Sequence, residues 1–243
     1  MRVVAIEKPS SALDDLRDAF VDVLDATVPG LGPHVELFAG ASAQLGAGVP
    51  NAPGVSASLP VVDQWLDQAL DRGETAPGPV GTLARCLRAA GPELTWKMAY
   101  EQLESTPELE AYRAHYSWVP LAVPAARGEV GPFDAGDMLV GFSIQAPGVL
   151  YPHHHHRAPE LYGVISGPID WQVGTTPWAT KQAGDVIVHR SSESHSMRTN
   201  DEPALTWVIW PRDTDSTVYM PSMDPPGQTT EPTVYPSSSG ASA

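Results

Sequence analysis

The stretch Gly148-Val-Leu-Tyr-Pro-His-His-His-His-Arg-Ala-Pro-Glu-Leu-Tyr-Gly-Val-Ile-Ser-Gly167 decides how this chain is read. Within it lies His154-x-His156-x-x-x-Glu160. Alternate residues of a strand share a face, so His154 and His156 can point at one spot while His153 and His155 face away. Arg157, Ala158 and Pro159 carry turn chemistry. Glu160 and Tyr162, again two apart, then open a second strand, Glu-Leu-Tyr-Gly-Val-Ile-Ser. Two imidazoles and a carboxylate meeting inside a fold leave a costly buried charge unless they hold a cation. The pattern is that of a metal site.

A further ligand follows downstream. Gly184-Asp-Val-Ile-Val-His-Arg-Ser-Ser-Glu-Ser-His195 reads as a turn, an apolar strand, a polar loop and a histidine. His195 completes a set of three histidines and Glu160, which suits one divalent transition metal (Fe, Mn, Zn, Co or Ni) better than Ca or Mg. Glu193 reads as a solvated loop residue. His189, six residues before His195, reads as a loop or core histidine.

These residues resemble a known superfamily. The spacing Gly148-x5-His154-x-His156-x3-Glu160-x6-Gly167 is similar to the first cupin motif at every position, and Gly184 to His195 resembles the second. Arg190 and Ser192 stand where cupins usually carry Pro and Gly, and Thr199 where Asn is usual. The chain also resembles the cupin-type dimethylsulfoniopropionate lyases. The marks are Leu94-Thr95-Trp96 with Tyr100, Tyr116-Ser117-Trp118, Tyr151-Pro152 running into the histidines, Glu160-Leu161-Tyr162, His195 to Thr199, and the Trp207 to Trp210 strand.

The resemblance implies a mainly β fold, a cupin jelly-roll barrel with an N-terminal α-helical region. It implies a lyase that splits dimethylsulfoniopropionate, or a similar small zwitterionic carboxylate, into dimethyl sulfide and acrylate by β-elimination. In the resembled lyases, tyrosines at the positions of Tyr162 and Tyr151 lie by the metal and one serves as base. By strand parity Tyr162 shares the face of Glu160, whereas Tyr151 shares that of His153 unless Tyr-Pro kinks the strand. Trp171, Trp178, Trp207 and Trp210 suit a barrel interior. Of these, Trp210, Trp207 and Trp171 are the candidate substrate wall, since an aromatic face attracts a sulfonium by cation–π contact. Two alternatives stay open: another cupin enzyme, such as a dioxygenase or isomerase, and a cupin that only binds a small ligand.

Composition narrows the classes. A net charge of −15 argues against nucleic acid and anionic membranes as partners, because phosphate recognition needs Lys and Arg patches. No apolar run approaches the roughly 18 residues of a membrane span, and the N-terminus lacks a secretory signal. The single cysteine, Cys86, excludes an internal disulfide and fits a reducing cytoplasm. It reads as a core-facing helix residue. The resemblance allows a homodimer, but no interface pattern is legible.

Along the chain, Leu13, Leu16, Phe20, Val23 and Leu24 recur at helical spacing between Ser10 and Thr27, with Ser10 or Ser11 as cap. Gly30 to Leu59 reads as a long loop. Further helices are expected from Pro60, from about Thr82 to Ala90, and from Thr106-Pro107-Glu108 through Tyr112 and Tyr116. No catalytic motif is legible in that half. Short strands are expected at 138–146, 149–154, 160–166, 169–173, 185–189, 194–198 and 205–210. The division is then residues 1–117 helical, 118–213 barrel, and 214–243 a Pro/Ser/Thr-rich tail, largely disordered beyond about Pro225. Tyr219 and Met220 can anchor its first part.

Overall fold

The computed structural model describes residues 11–51, 59–100, 110, 112–127, 131–220 and 233–235. The N-terminal helices are α1 (Ala12–Thr27), α2 (Val35–Phe38), α3 (Ala41–Gly46), α4 (Pro60–Gly73) and α5 (Pro79–Ala90). Ser11 caps α1 through a reciprocal pair: its hydroxyl accepts the Asp14 amide at 3.1 Å, and the Asp14 carboxylate accepts the Ser11 amide. Such a box satisfies two amides that the helix leaves unpaired. Pro60 and Pro79 open α4 and α5 in the first turn. Helix α5 thus starts three residues earlier than its periodicity suggested.

The strands are β1 (Val49–Pro50), β2 (Lys97–Met98), β3 (Tyr116–Ala122), β4 (Phe133–Asp134), β5 (Leu139–Gln145), β6 (Leu150–His154), β7 (Glu160–Ser166), β8 (Ile169–Val173), β9 (Ala179–Lys181), β10 (Val186–His189), β11 (His195–Arg198), β12 (Ala204–Trp210), β13 (Val218–Met220) and β14 (Thr233–Tyr235). One sheet runs β1-β4-β3-β5-β12-β7-β10, with β2 joined to β3. A second runs β6-β11-β8-β9. All described pairings are antiparallel apart from β3 with β4. The barrel is mainly β, as expected.

The central strands β5, β7 and β12 of the large sheet are buried on both faces, and their side chains sort by parity. Val140, Phe142, Ile144, Leu161, Ile165, Leu205, Trp207 and Ile209 form one core with Leu16, Phe20 and Leu24 of α1 and Leu83 and Leu87 of α5. Leu139, Tyr162, Val164, Val208 and Trp210 face the small sheet instead, packing with Tyr151, Ile169, Trp171 and Met197. Double-sided burial explains why β5, β7 and β12 read as almost unbroken apolar runs. It also explains Gly163: a Cβ there would lie 2.1 Å from the Trp207 indole.

Several expectations change. Tyr116 belongs to β3 rather than to a helix, so the 117/118 boundary cuts a strand, and β1 and β2 bring the helical region into the same sheet. The stretch from Gly30 holds two short helices, α2 and α3, whose Phe38 and Leu45 are fully buried. Thr106, Pro107 and Glu108, Ser10, and the tail beyond Pro225 apart from β14 lie outside the described residues. Met220 is buried, and Tyr219 stacks on His155 with ring centroids 5.2 Å apart. No helix among the described residues is long and apolar enough to cross a membrane.

Candidate metal centre

The site lies between the two sheets. His154 ends β6 and is paired across the ladder with His195, the first residue of β11, both in the small sheet. Glu160 opens β7 in the large sheet, directly opposite His189 of β10. His156 sits in the crossing between them. All five side chains are buried.

Each of the three expected histidine ligands is oriented by a backbone carbonyl two residues away. The Nδ1 of His154 faces the Pro152 carbonyl, that of His156 the Ala158 carbonyl and that of His195 the Glu193 carbonyl, each at 2.9 Å. A carbonyl only accepts, so the ring proton sits on Nδ1 and the lone pair on Nε2. This is how metal-ligating histidines are commonly held. The Nε2 atoms of His156 and His195 are buried without a hydrogen-bond partner. Two orphaned lone pairs beside a carboxylate fit a cation. The ligand atoms of His156, Glu160 and His195 lie within 4.8 Å of one another, as a single set among the described residues. Glu160 Oε2 is 3.1 Å from His195 Nε2 and 3.5 Å from His156 Nε2. His154 stands beside this set, its ring 4.1 Å from that of His195 and stacked on Tyr151 at 4.1 Å.

The electrostatics agree with a donor set. Burial, helped by the neighbouring His195, holds His154 well below its usual imidazole range. Burial pushes the Glu160 carboxyl up, but the neighbouring His156 and His195, with the hydrogen bond from His189, outweigh it and hold it well below the usual carboxylate range. His189 is lowered to about 4, chiefly by burial.

Around the site stand tyrosines. Tyr151 reaches it despite its parity. The β6–β11 register shifts between His195 and Met197, so that Tyr151 and His154 are both buried while Pro152 and His153 between them are half-buried. His153 turns outward to Gln172 and Ser194. Tyr162 packs on Trp171 at 4.9 Å and faces His189 at 5.9 Å. Burial first, then the Glu160 charge, raises Tyr162 well above the usual phenol range. Burial likewise raises Tyr151, and Tyr116 to about 12.

Three findings depart from the sequence reading. Trp207 lies on the opposite face of β12, edge-on to Phe20 at 5.4 Å, so the structure does not bring it to the site. Trp210 and Trp171 do reach it, but their indole N–H groups serve the protein: Trp210 donates to Glu160 Oε1 at 2.7 Å and Trp171 to His189 Nε2 at 3.0 Å. Trp210 also covers His156, ring centroids 4.2 Å apart. The N-terminal half contributes as well. Tyr100 is hydrogen-bonded to the Tyr151 hydroxyl, and Tyr112 packs between Tyr116 and Tyr151, 4.9 and 4.8 Å away. Tyr100 and Tyr116 were marks of the family resemblance, whereas Tyr112 carried no signal beyond the aromatic density from Trp96 to Trp118.

The second-motif loop keeps its course with unusual residues. Ser192 adopts φ +61°, the left-handed conformation that explains why glycine is usual there. Arg190 and Glu193 bind each other at 2.6 Å across the loop. Thr199 replaces an asparagine by donating to the Ala146 carbonyl at 2.5 Å and accepting the Val149 amide at 3.0 Å.

Two closely packed antiparallel sheets around a buried His/Glu donor set define a cupin barrel whose interior fits a metal centre. Comparison with known proteins agrees. The crystal structure of the dimethylsulfoniopropionate lyase DddQ from Ruegeria pomeroyi superposes with a TM-score of 0.66 at 19% identity, over 89% of this chain and 98% of that one, which establishes the shared fold. The DddQ sequence from the same organism is 30% identical over 129 residues, 53% of this chain and 60% of the relative. A candidate dimethylsulfoniopropionate lyase, DddL of Cereibacter sphaeroides, is 29% identical over 151 residues, 61% of this chain and 58% of its own length. The matched regions thus span about three-fifths of each curated relative. The family model for dimethylsulfoniopropionate lyase matches residues 37–206. The chain belongs to that family.

Proposed function

We propose that this protein is a metal-dependent carbon–sulfur lyase that cleaves dimethylsulfoniopropionate to dimethyl sulfide and acrylate. The observation that carries the reading is the pair of orphaned imidazole nitrogens beside Glu160, set among buried tyrosines in a chain of this family. His156, Glu160 and His195, with His154 alongside, would hold one divalent cation. When bound, it supplies the positive charge that favours an ionised tyrosine and steadies charge developing on a substrate carboxylate.

The chain's own residues supply the rest. Tyr162 is the proposed base, with Tyr151 the second candidate. A buried phenol raised above 10 is a poor base at neutral pH unless a cation lies near, which is why the tyrosines stand beside the donor set. Tyrosinate takes a proton from the carbon next to the substrate carboxylate. That electron pair forms the C=C bond, the C–S bond breaks, and its electrons leave with neutral dimethyl sulfide. Trp171 and Tyr116 wall Tyr162 from water, keeping the base dry.

The test is headspace dimethyl sulfide from purified protein supplied with dimethylsulfoniopropionate and Mn, Fe, Co, Ni or Zn singly after chelation. Metal-dependent release, lost in His195→Ala, is expected. Tyr162→Phe should retain metal and lose at least about a hundredfold in turnover, the usual contribution of a general base. Unchanged turnover in that variant removes Tyr162 from the role.

A further inference from the structure

Glu160 is gripped by neighbours that no step of the proposed reaction uses. Its Oε1 accepts the Trp210 indole N–H at 2.7 Å, and its Oε2 lies 2.7 Å from His189 Nδ1. His189 is fully buried and sits opposite Glu160 in the β7–β10 ladder. Its Nε2 receives the Trp171 indole N–H at 3.0 Å. An indole N–H can only donate, so Nε2 is the acceptor and the ring proton stays on Nδ1. His189 therefore donates to Glu160. With both nitrogens engaged, His189 keeps no lone pair for a cation, even though its ring lies flat on His195 with centroids 3.6 Å apart.

We propose that His189 is a positioning residue, locked in one tautomer by Trp171, that turns the Glu160 carboxylate so that Oε2 alone faces the gap between His156 and His195. Trp210 holds Oε1 away from that gap. Glu160 thus offers a cation one oxygen rather than two, and leaves room for another ligand. The inference rests on reading His156, Glu160 and His195 as metal ligands, and it is independent of the substrate. Removing the His189 donor frees the carboxylate to rotate, and outer partners of metal ligands commonly matter about ten- to a hundredfold in affinity.

The experiment titrates Co(II) alone into the chelator-stripped intact chain and its His189→Leu, His189→Asn and Trp171→Phe variants. Visible absorption and the paramagnetically shifted imidazole N–H resonances are followed. Leucine fills volume without a donor, whereas the asparagine amide can replace the Nδ1–H. His189→Leu is expected to weaken Co(II) binding about ten- to a hundredfold and alter the absorption. His189→Asn should restore most of the affinity and the wild-type absorption, with the shifted N–H resonances of His154, His156 and His195 retained. Wild-type affinity and spectrum in His189→Leu overturn the proposal. So does a His189→Asn variant that recovers no affinity over His189→Leu, as the loss of a ligand would give. If His189→Leu does not fold, Trp171→Phe decides: weakened binding supports the relay and unchanged binding overturns it. A chain that shows these metal effects yet releases no dimethyl sulfide refutes the substrate while leaving the role of His189 standing.

Discussion

Gly163 and Ser192 show how single residues hold this barrel together. The space above Gly163 is filled by the Trp207 indole, which is fully buried against Phe20. A methyl group there must displace a ring that has nowhere to go. Gly163→Ala is therefore expected to cost about 1–3 kcal/mol, the usual penalty for overfilling a core, measured as a lower denaturation midpoint with unchanged slope. Ser192 is the opposite case, since its backbone is left-handed but its side chain is exposed. Ser192→Gly removes the Cβ conflict and should raise stability by up to about 1 kcal/mol. A drop in melting temperature for that variant would show that the serine hydroxyl matters more than the strain.

At the scale of elements, the outer sheet is pinned by one carboxylate. Asp170 on β8 accepts from Thr180 of β9 at 2.7 Å, from Arg198 of β11 at 3.1 Å and from Asn200 at 3.3 Å. The Thr180 hydrogen bond is the main reason its carboxyl titrates below the usual value, with Asn200 and Arg198 adding to it against the opposing effect of burial. A carboxyl depressed in the folded state contributes stability above its unfolded pKa, about 3.9, and loses it as pH falls through the folded value. Acidification below about pH 4 should thus destabilise the wild type more steeply than Asp170→Asn, as thermal melts across that range will show. Equal acid slopes would mean that the cross-strand ties contribute nothing. The turn that carries His156 is pinned in a comparable way by the segment after β12: Ser216 accepts the Ala158 amide at 2.9 Å, and Arg157 pairs with Asp215 at 2.6 Å.

Over the whole molecule, what the sequence revealed depended on whether an argument stayed within one strand. Glu160 and Tyr162, or the helical face of Leu16, Phe20 and Leu24, are local patterns, and they survive in the structure. Parity could not be carried across a turn that changes sheets. His189 and His195 belong to different sheets, so their spacing of six residues said nothing of their contact, yet their rings stack. Tyr151 needed a register shift, and it falls beside Pro152, where the Tyr-Pro step had left the parity open. Tyr112, and the contact of Tyr100 with Tyr151, needed the tertiary fold, since no local pattern ties them to the histidines. The division of the donor set between two unequal sheets has a consequence for opening motions. Strands β5, β7 and β12 are covered on both faces and flanked on both edges, whereas β6 is the half-exposed edge of the four-stranded sheet and β11 lies next to it. Amide hydrogens of β7 should exchange with deuterium only on global unfolding, and those of β6 and β11 through cheaper local opening. Exchange at equal rates in both sheets would contradict this. The two sides of the donor set then differ in lifetime: His154 and His195 let go while Glu160 is still held, so a cation bound there would escape from an otherwise folded chain.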